Sequence, residues 1–179
     1  FHFEKKGFGY KSALVGIATS RTPKGPFVVK GFFRLASDEL PVGYENINEL
    51  ERNKIFKRDI HIGQMSRDIN VFVDDDSKAY IVSSSEDNST LIITELNSDY
   101  TNITNKFVRV APGGYNEAPI LFKHNGTYFI ISSGTSGWVP NKARLFSSGS
   151  IFEQWRYAGT PILSSSEEDL NTTFHSQGS

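Results

Sequence analysis

A repeat with a period of 49 residues is the feature that most constrains how this chain can fold. The segment that starts at Asp68 matches the segment that starts at Glu117 without a gap, so that Tyr80 corresponds to Phe129 and both segments end in Ser-Ser. Each segment contains two short runs of β-branched and aromatic residues separated by a turn. Repeats of about 40–50 residues built from short strands are typical of β-propellers, in which one repeat forms one blade. The repeat therefore predicts an all-β chain with a propeller architecture.

The rest of the chain carries further strand signals. Short runs rich in β-branched and aromatic residues predict strands at 13–19, 71–73, 79–83, 91–96, 120–123, 128–132 and 143–147. Two other segments end in an aromatic residue, Phe27 or Trp155, which we expect to close a blade as part of its core. At about 50 residues per blade, residues 1–179 form a single partial propeller domain of roughly three and a half blades. Such a ring would leave sheet edges exposed, so we expect more polypeptide or a second chain to complete it.

Residues 36–64 interrupt the repeat and are predicted to be an insertion between two blades. Asn46 followed by Glu49 is typical of a helix start, because the asparagine can cap the first turn and an acid follows three residues on. Lys54 and Arg58 would then lie toward the carboxyl end of the helix, where the helix dipole favours cations. The segment is therefore either a solvated excursion with a short surface helix or a loop that shapes the rim of the central funnel.

Composition and spacing exclude several classes of function. The net charge is −1, which gives no electrostatic basis for binding nucleic acid or an anionic membrane. The longest apolar stretch is far too short to span a bilayer. The absence of cysteine excludes disulfides and thiolate metal sites, and the four histidines lack the spacing of metal ligands. The three aspartates at 74–76 lack the distal glutamate of a calcium loop and predict a hairpin turn instead. We therefore predict no metal and no cofactor.

Asp68 and Glu117 hold the same position in successive repeats of the ungapped match. The first strand of a propeller blade lies next to the central axis, so we expect both carboxylates to face one funnel. Facing carboxyl groups are what hydrolysis of a glycosidic bond requires, since one must protonate the leaving oxygen. The alternative is that each carboxylate forms an ion pair with a neighbouring arginine, for example Arg67 or Arg144.

Five short motifs occur in an order and at a spacing that resemble a known family. They are Ser66-Arg67-Asp68, Val71-Phe72-Val73-Asp74-Asp75-Asp76, Glu117-Ala118-Pro119, Ser136-Gly137-Trp138 and Ser176-Gln177. Together they resemble glycoside hydrolase family 43, and within it the branch of exo-β-1,3-galactanases and related β-galactosidases. The resemblance covers nearly the whole chain outside the insertion. It implies a five-bladed β-propeller, of which this chain would be a fragment.

The resemblance implies an inverting, metal-independent glycosidase in which three side chains have roles. Glu117 matches the general acid, and Asp68 matches the carboxylate that tunes the acid and holds the sugar. The general base of most of the family is an aspartate on a first blade that has no counterpart in this sequence. In the galactanase branch a glutamine takes its place, and Gln177 matches that glutamine. Because a neutral amide is a very poor base, Gln177 would orient the attacking water or act through an unusual tautomer.

Sugar contacts and substrate follow from the same resemblance. Tyr10 matches a sugar-binding tyrosine, Ser136 replaces the threonine that is usual before Gly-Trp, and Trp138 offers a face on which a sugar ring can stack. The implied function is the exo-acting hydrolysis of terminal β-linked galactose in an oligo- or polysaccharide of the β-1,3-galactan type.

Two alternatives to this function remain open. One is an α-L-arabinofuranosidase or β-xylosidase on the same scaffold, and the other is a sugar-binding propeller remnant without catalysis. Since polysaccharide hydrolases usually work outside the cytoplasm, we expect a secreted or periplasmic protein. The expected partners are the carbohydrate substrate and the remainder of the propeller, with no nucleic acid and no membrane span.

Overall fold

Three antiparallel β-sheets follow one another along the chain, and each joins its strands in the order in which they occur. The computed structural model describes residues 1–176. The first sheet contains β1 (His2–Phe3), β2 (Leu14–Thr19) and β3 (Val28–Phe33). The second contains β4 (Arg67–Val73), β5 (Ala79–Ser85), β6 (Thr90–Leu96) and β7 (Ile103–Val110). The third contains β8 (Asn116–His124), β9 (Thr127–Gly134), β10 (Arg144–Ser148) and β11 (Arg156–Gly159). Two short helices, α1 (Lys54–Ile62) and α2 (Glu167–Thr172), lie outside the sheets. The all-β prediction is confirmed.

The central strands of the second sheet, β5 and β6, are buried on both faces. Successive residues of a strand point to opposite sides, so each of these strands contributes to two cores. Along β5, Tyr80 and Val82 belong to a core that is shared with the third sheet. Ala79 and Ile81, which alternate with them, belong to a core that is shared with the first sheet. Strands β4 and β5 also contact β8. The stacking of the second and third sheets therefore brings their first strands, β4 and β8, next to each other.

The hairpins that open the second and third sheets show that the sequence repeat contains a gap. In the β4–β5 hairpin Phe72 pairs with Tyr80, and in the β8–β9 hairpin Phe122 pairs with Phe129. The second strands of the two hairpins are thus offset by 49 residues, as the sequence match has it. The first strands are offset by 50 residues. The turn of the later hairpin, around Asn125 and Gly126, is one residue shorter and causes the difference.

This gap corrects the expectation that Asp68 and Glu117 occupy the same place in successive repeats. Arg67 lies opposite Ser84, and Glu117 lies opposite the corresponding Ser133, so Arg67 is the structural counterpart of Glu117. The counterpart of Asp68 is the residue after Glu117. The two carboxylates are therefore offset by one residue along their strands.

Residues 36–64, which the sequence predicts to be an insertion, contain a helix that does not start where the sequence predicts. Asn46 lies at the end of a single 3₁₀ turn, whereas α1 starts after Asn53, whose side chain accepts hydrogen bonds from the backbone N–H groups of Ile55 and Phe56. Leu50, an apolar residue on which the predicted helix from Asn46 depended, is 91% exposed. Starting the helix later lets Phe56 enter the interior, so packing rather than the first available cap sets the boundary.

A buried carboxylate on α1, that of Asp59, links the helix to Arg34 beside the first sheet. Asp59 is fully buried and accepts hydrogen bonds from Arg58 Nε at 2.7 Å and Nη2 at 2.9 Å. Arg34, which follows β3, lies with its Nη1 3.6 Å from the same carboxylate and donates from Nε to the carbonyl oxygen of Ser12. The hydrogen bonds that Arg58 donates to Asp59 raise the pKa of Arg58 above its ordinary value, and the bond to Asp87 adds to the effect.

The two aromatic residues that were expected to close blades differ in their surroundings. Trp155 packs against the core between the second and third sheets, and its indole N–H donates to the carbonyl oxygen of Ile151. Phe27, in contrast, is 60% exposed, so the expectation that it is a core residue is wrong. Within residues 1–176 there is no helix long and apolar enough to cross a membrane.

Candidate active site

An open pocket of about 620 Å³ lies where β4, β8 and three loops meet. Both predicted acidic residues, Asp68 and Glu117, line it. Tyr10 and Trp138, which were predicted to bind sugar, line it as well, together with Asn88. Residues from the first, second and third sheet regions thus converge on one cavity that is large enough for a sugar ring.

A β-bulge occurs at the same place in β4 and β8, next to Asp68 and Glu117. Asp68 and Ile69 lie together opposite a single residue of β5, and Ala118 and Pro119 lie together opposite a single residue of β9. The backbone at Asp68 and at Ala118 has φ of +48° and +47°, a left-handed conformation that is unusual for these residues. Bulges bend a strand and redirect side chains, and they are common next to active sites.

The two strands are joined at the pocket by a hydrogen bond to a carboxylate. The backbone N–H of Ala118 donates to Asp68 Oδ2 at 3.1 Å. This bond joins Asp68 to its structural counterpart in β8, the residue that follows Glu117.

The alternative that Asp68 and Glu117 are simply paired with arginines is not seen among residues 1–176. Arg67 forms its ion pair with Asp87. Arg144 donates to the carbonyl oxygen of Tyr115 at 3.0 Å and to Asn116 Oδ1 at 2.9 Å. Both arginines therefore support the backbone and polar side chains around the pocket and leave the two carboxylates to other partners.

Asn88, which sequence reasoning missed, contacts the predicted acid directly. Its Nδ2 donates to Glu117 Oε1 at 2.7 Å. On its other side its Oδ1 accepts from Arg67 Nη1 at 3.2 Å. Because a guanidinium can only donate, the carbonyl of the amide must face Arg67 and the N–H group must face Glu117. Arg67 Nη2 also donates to the carbonyl oxygen of Tyr10 and so links a third pocket residue to the same group.

Asn88 lies in a strained turn between β5 and β6, residues 86–89. Glu86, Asp87 and Asn88 have φ of +51°, +55° and +66°. Each left-handed residue other than glycine costs roughly 1–3 kcal/mol and persists only where the surroundings hold it. An asparagine in a polar hairpin turn was the available signal, since Asn tolerates this conformation better than most residues. Nothing local in the sequence connects that turn to Glu117.

The other predicted site residues are placed as follows. Trp138 is 97% exposed at the pocket, with its indole free to meet a ligand. Ser136 is not among the lining residues, because its hydroxyl donates to the carbonyl oxygen of Val139 at 2.5 Å and accepts from Asn141 Nδ2 at 2.6 Å within its own loop. Gln177 lies outside the residues that the structure describes. In the described part of the chain no group of three acidic or histidine side chains is arranged to hold a metal ion.

An all-β scaffold that brings two acidic side chains and an exposed tryptophan to one open pocket is typical of glycoside hydrolases, which use carboxyl groups on either side of the bond they cleave. Comparison with known proteins specifies the family. Residues 51–179 match the sequence model of glycosyl hydrolases family 43, which is most of the chain. The chain therefore belongs to glycosyl hydrolase family 43.

Solved structures of this family are similar over almost the whole chain. A family 43 β-1,3-galactosidase solved with galactodeoxynojirimycin is 40% identical, with a TM-score of 0.88 over 98% of this chain and 56% of that one. An exo-β-1,3-galactanase from Clostridium thermocellum is 33% identical, with a TM-score of 0.72 over 96% of this chain and 32% of that one. A β-D-galactofuranosidase, xynD, from Aspergillus niger is 28% identical over 79 residues, which are 44% of this chain and 22% of that protein. The chain thus spans about half the length of the first of these relatives and less of the others.

Proposed function

We propose that this chain carries the acid side of the active site of an inverting, exo-acting glycosidase that removes terminal β-linked galactose from β-1,3-galactan. The observation that carries the proposal is the meeting of Glu117 and Asp68 in one pocket through the Ala118 N–H hydrogen bond. The similarity to a β-1,3-galactosidase and to an exo-β-1,3-galactanase over at least 96% of the chain supports the choice of substrate.

We further propose that the three sheets are blades of a five-bladed propeller. Successive sheets of antiparallel strands, stacked through shared cores with β4 and β8 adjacent, support this arrangement. In the proposal residues 1–179 are one partial catalytic domain of about three and a half blades. Residues 36–64 are an insertion between two of the blades. Further polypeptide completes the ring. The place of action would be outside the cytoplasm, where the polysaccharide is.

In the proposed mechanism Glu117 donates its proton to the glycosidic oxygen as the bond from that oxygen to the anomeric carbon breaks. Water attacks the anomeric carbon from the opposite face, so that the configuration is inverted. Asp68, held by the Ala118 N–H group, would hold the sugar and tune the acid. The proposed sugar contacts are Tyr10 and Trp138 at the pocket and Ser136 in the adjoining loop.

Gln177 is proposed to orient the attacking water on the side opposite Glu117. An amide can donate through its N–H group and accept through its carbonyl oxygen, so it can hold a water molecule in one orientation. An unusual tautomer that takes up the proton of the water is the alternative for the same residue.

The test is the release of galactose from β-1,3-galactobiose, followed by NMR and compared with the Glu117→Gln variant. We expect α-galactose to appear first and to equilibrate later to the β anomer, because inversion of a β-linkage gives the α product. Glu117→Gln should lower kcat at least about 100-fold, since general acid catalysis contributes about 10²–10⁴. The isosteric change should leave thermal stability nearly unchanged. A first product in the β configuration, or a Glu117→Gln variant with full activity, would contradict the mechanism.

A panel of nitrophenyl glycosides decides between the sugars. We expect the β-galactopyranoside to be cleaved faster than the β-galactofuranoside, the α-L-arabinofuranoside and the β-xyloside. Faster cleavage of the arabinofuranoside or the xyloside would replace the substrate in the proposal. Binding of galactose without cleavage of any member would indicate a sugar-binding propeller.

A further inference from the structure

We propose that the inserted segment 36–64 is a positioning element for the proposed general acid, and that Arg58 on α1 is its positioning residue. Arg58 contacts Asp87, Asp87 precedes Asn88 in the 86–89 turn, and Asn88 contacts Glu117. The inference rests on the proposed function, because the orientation of Glu117 matters to the reaction only if Glu117 transfers the proton.

Hydrogen bonds to Asp59 fix the orientation of the Arg58 guanidinium group. Two of its nitrogen atoms, Nε and Nη2, donate to the fully buried Asp59, which holds the guanidinium in one plane. The remaining nitrogen, Nη1, donates to Asp87 Oδ2 at 3.0 Å. Met65 Sδ accepts from the backbone N–H of Asp87 at 3.2 Å and from Arg58 Nη2 at 3.7 Å, so the sulfur lies between them. The link from helix to turn is therefore built from several short contacts.

Arg109, on β7, holds the residue before Asp87 and is itself in contact with the inserted segment. Glu86 is fully buried and accepts from Arg109 Nε at 2.5 Å and Nη2 at 2.7 Å. Arg109 Nη2 also donates to the carbonyl oxygen of Glu51 at 3.1 Å, and its guanidinium lies 4.2 Å from the ring centroid of Phe56. Both Glu51 and Phe56 belong to the insertion. The insertion thus supports two consecutive left-handed residues of the turn.

The 86–89 turn contains Asn88 and so determines the orientation of the Glu117 carboxyl group. The Asn88 N–H group occupies Glu117 Oε1, and an amide nitrogen cannot accept a proton. Because Oε1 accepts from Asn88, we expect the transferable proton of Glu117 to reside on the other oxygen, Oε2. The terminal torsion of a glutamate is soft, so a shift of Asn88 would let the carboxyl group rotate and direct the proton away from the leaving oxygen. Small displacements of a reacting group are costly to catalysis.

Asp87→Asn is the variant that separates positioning from folding. Asparagine has the same shape and tolerates the left-handed conformation at this position, so the turn is expected to form without the charge that Arg58 and Arg67 hold. Asp76→Asn is the matched control, because Asp76 is also an exposed turn aspartate paired with a cation, Lys78, but lies at the far end of β4. Arg58→Lys keeps the positive charge and is expected to lose less activity than Asp87→Asn.

The kinetic test compares kcat on two substrates, one whose leaving group needs a proton and one whose leaving group does not. We expect Asp87→Asn to lower kcat on β-1,3-galactobiose about 10-fold, which is part of the contribution of a general acid. On a dinitrophenyl β-galactoside, whose leaving group needs no proton, the loss should be less than about 2-fold. Asp76→Asn should match the wild type on both substrates. An equal loss on both substrates in Asp87→Asn would show a merely structural role and overturn the inference.

A spectroscopic readout keeps the inference separate from the proposed function. In nitrogen-labelled protein the side-chain amide resonance of Asn88 can be assigned by its loss in Asn88→Ser. We expect this resonance to move in Glu117→Gln and in Asp87→Asn but not in Asp76→Asn. If the wild type does not cleave galactobiose, the proposed function fails, while a moved resonance in Asp87→Asn still supports the positioning contact. An unmoved resonance in Asp87→Asn overturns that contact whatever the activity.

Discussion

At the scale of single residues, the proposed acid Glu117 has a neutral hydrogen-bond donor as its neighbour rather than a cation. Asn88 donates to it, while Arg67 and Arg144 are engaged with other polar groups. A cation bonded to a carboxyl group favours the ionised form, whereas a general acid must carry its proton into the reaction. The amide of Asn88 fixes the orientation of the Glu117 carboxyl group, which suits the proposed role. The motif around Glu117 predicted the acid from the sequence, whereas no sequence pattern predicted its contact with Asn88, because 29 residues separate the two.

Trp138→Ala tests the proposed sugar contact at the same scale. Aromatic contacts contribute about 0.5–1.5 kcal/mol, so we expect the KM for β-1,3-galactobiose to rise about 2- to 10-fold with kcat nearly unchanged. Thermal stability should not change, because the side chain is 97% exposed. Leu163→Ala, which removes another highly exposed apolar side chain outside the pocket, is the control. A loss confined to kcat would argue against stacking.

At the scale of elements, the length of one turn decides which residues face the pocket. The sequence repeat predicted two equivalent hairpins, and the pairing of their strands confirms that both exist. The shorter turn after β8 shifts that strand by one residue relative to β4, and each of the two strands has a bulge next to the pocket. Sequence matching could not place this gap, because polar turn residues align equally well with or without it. The start of α1 was missed for a related reason, since Asn46 and Asn53 are both suitable caps and only the burial of Phe56 selects between them.

Asn53→Ala tests the boundary of α1. Loss of an N-terminal cap costs about 0.5–2 kcal/mol, so the free energy of unfolding measured by urea denaturation should fall by that amount. Asn53→Ser retains an oxygen that can cap the helix and should remain close to the wild type. Equal destabilisation by alanine and serine would mean that the side chain of Asn53 acts in another way.

At the scale of the whole molecule, a shared apolar core and a polar cluster around Asp74 contribute to holding the second and third sheets together. Asp74, at the end of β4, accepts from Lys123 Nζ at 2.7 Å and from Tyr128 Oη at 2.5 Å, and both of these residues belong to the third sheet. Burial by itself raises the pKa of Asp74, but the hydrogen bonds from Lys123, Tyr128 and the backbone of Asp75 outweigh it and lower the pKa below its ordinary value. The same hydrogen bonds raise the pKa of Lys123 and of Tyr128.

These shifts predict how stability depends on pH. The contribution of Asp74 is complete above its unfolded pKa of about 3.9 and is lost as the pH falls through the lower folded pKa. The contribution of Lys123 to stability is complete below its unfolded pKa of about 10.4 and is lost as the pH rises through the higher folded pKa. Asp74→Asn should therefore be less stable than the wild type between about pH 5 and 9, and the difference should vanish in strong acid.

Urea denaturation across that pH range is the measurement, with Glu39→Gln as the control because Glu39 is an exposed acid outside the cluster. A difference between Asp74→Asn and the wild type that stays constant into strong acid would show that the charge of Asp74 is not what stabilises the pair of sheets.

The sequence by itself determined the parts of this protein that depend on local pattern. Alternating apolar residues and polar turns specify the strands, and the ordered motifs indicate the family and the two acidic residues. The tertiary structure alone decided the one-residue offset between Asp68 and Glu117, the contact from Asn88 and the support of the 86–89 turn by Arg58. Each of these depends on residues that are far apart in the chain and meet only when the sheets stack, so no local preference of the sequence encodes them.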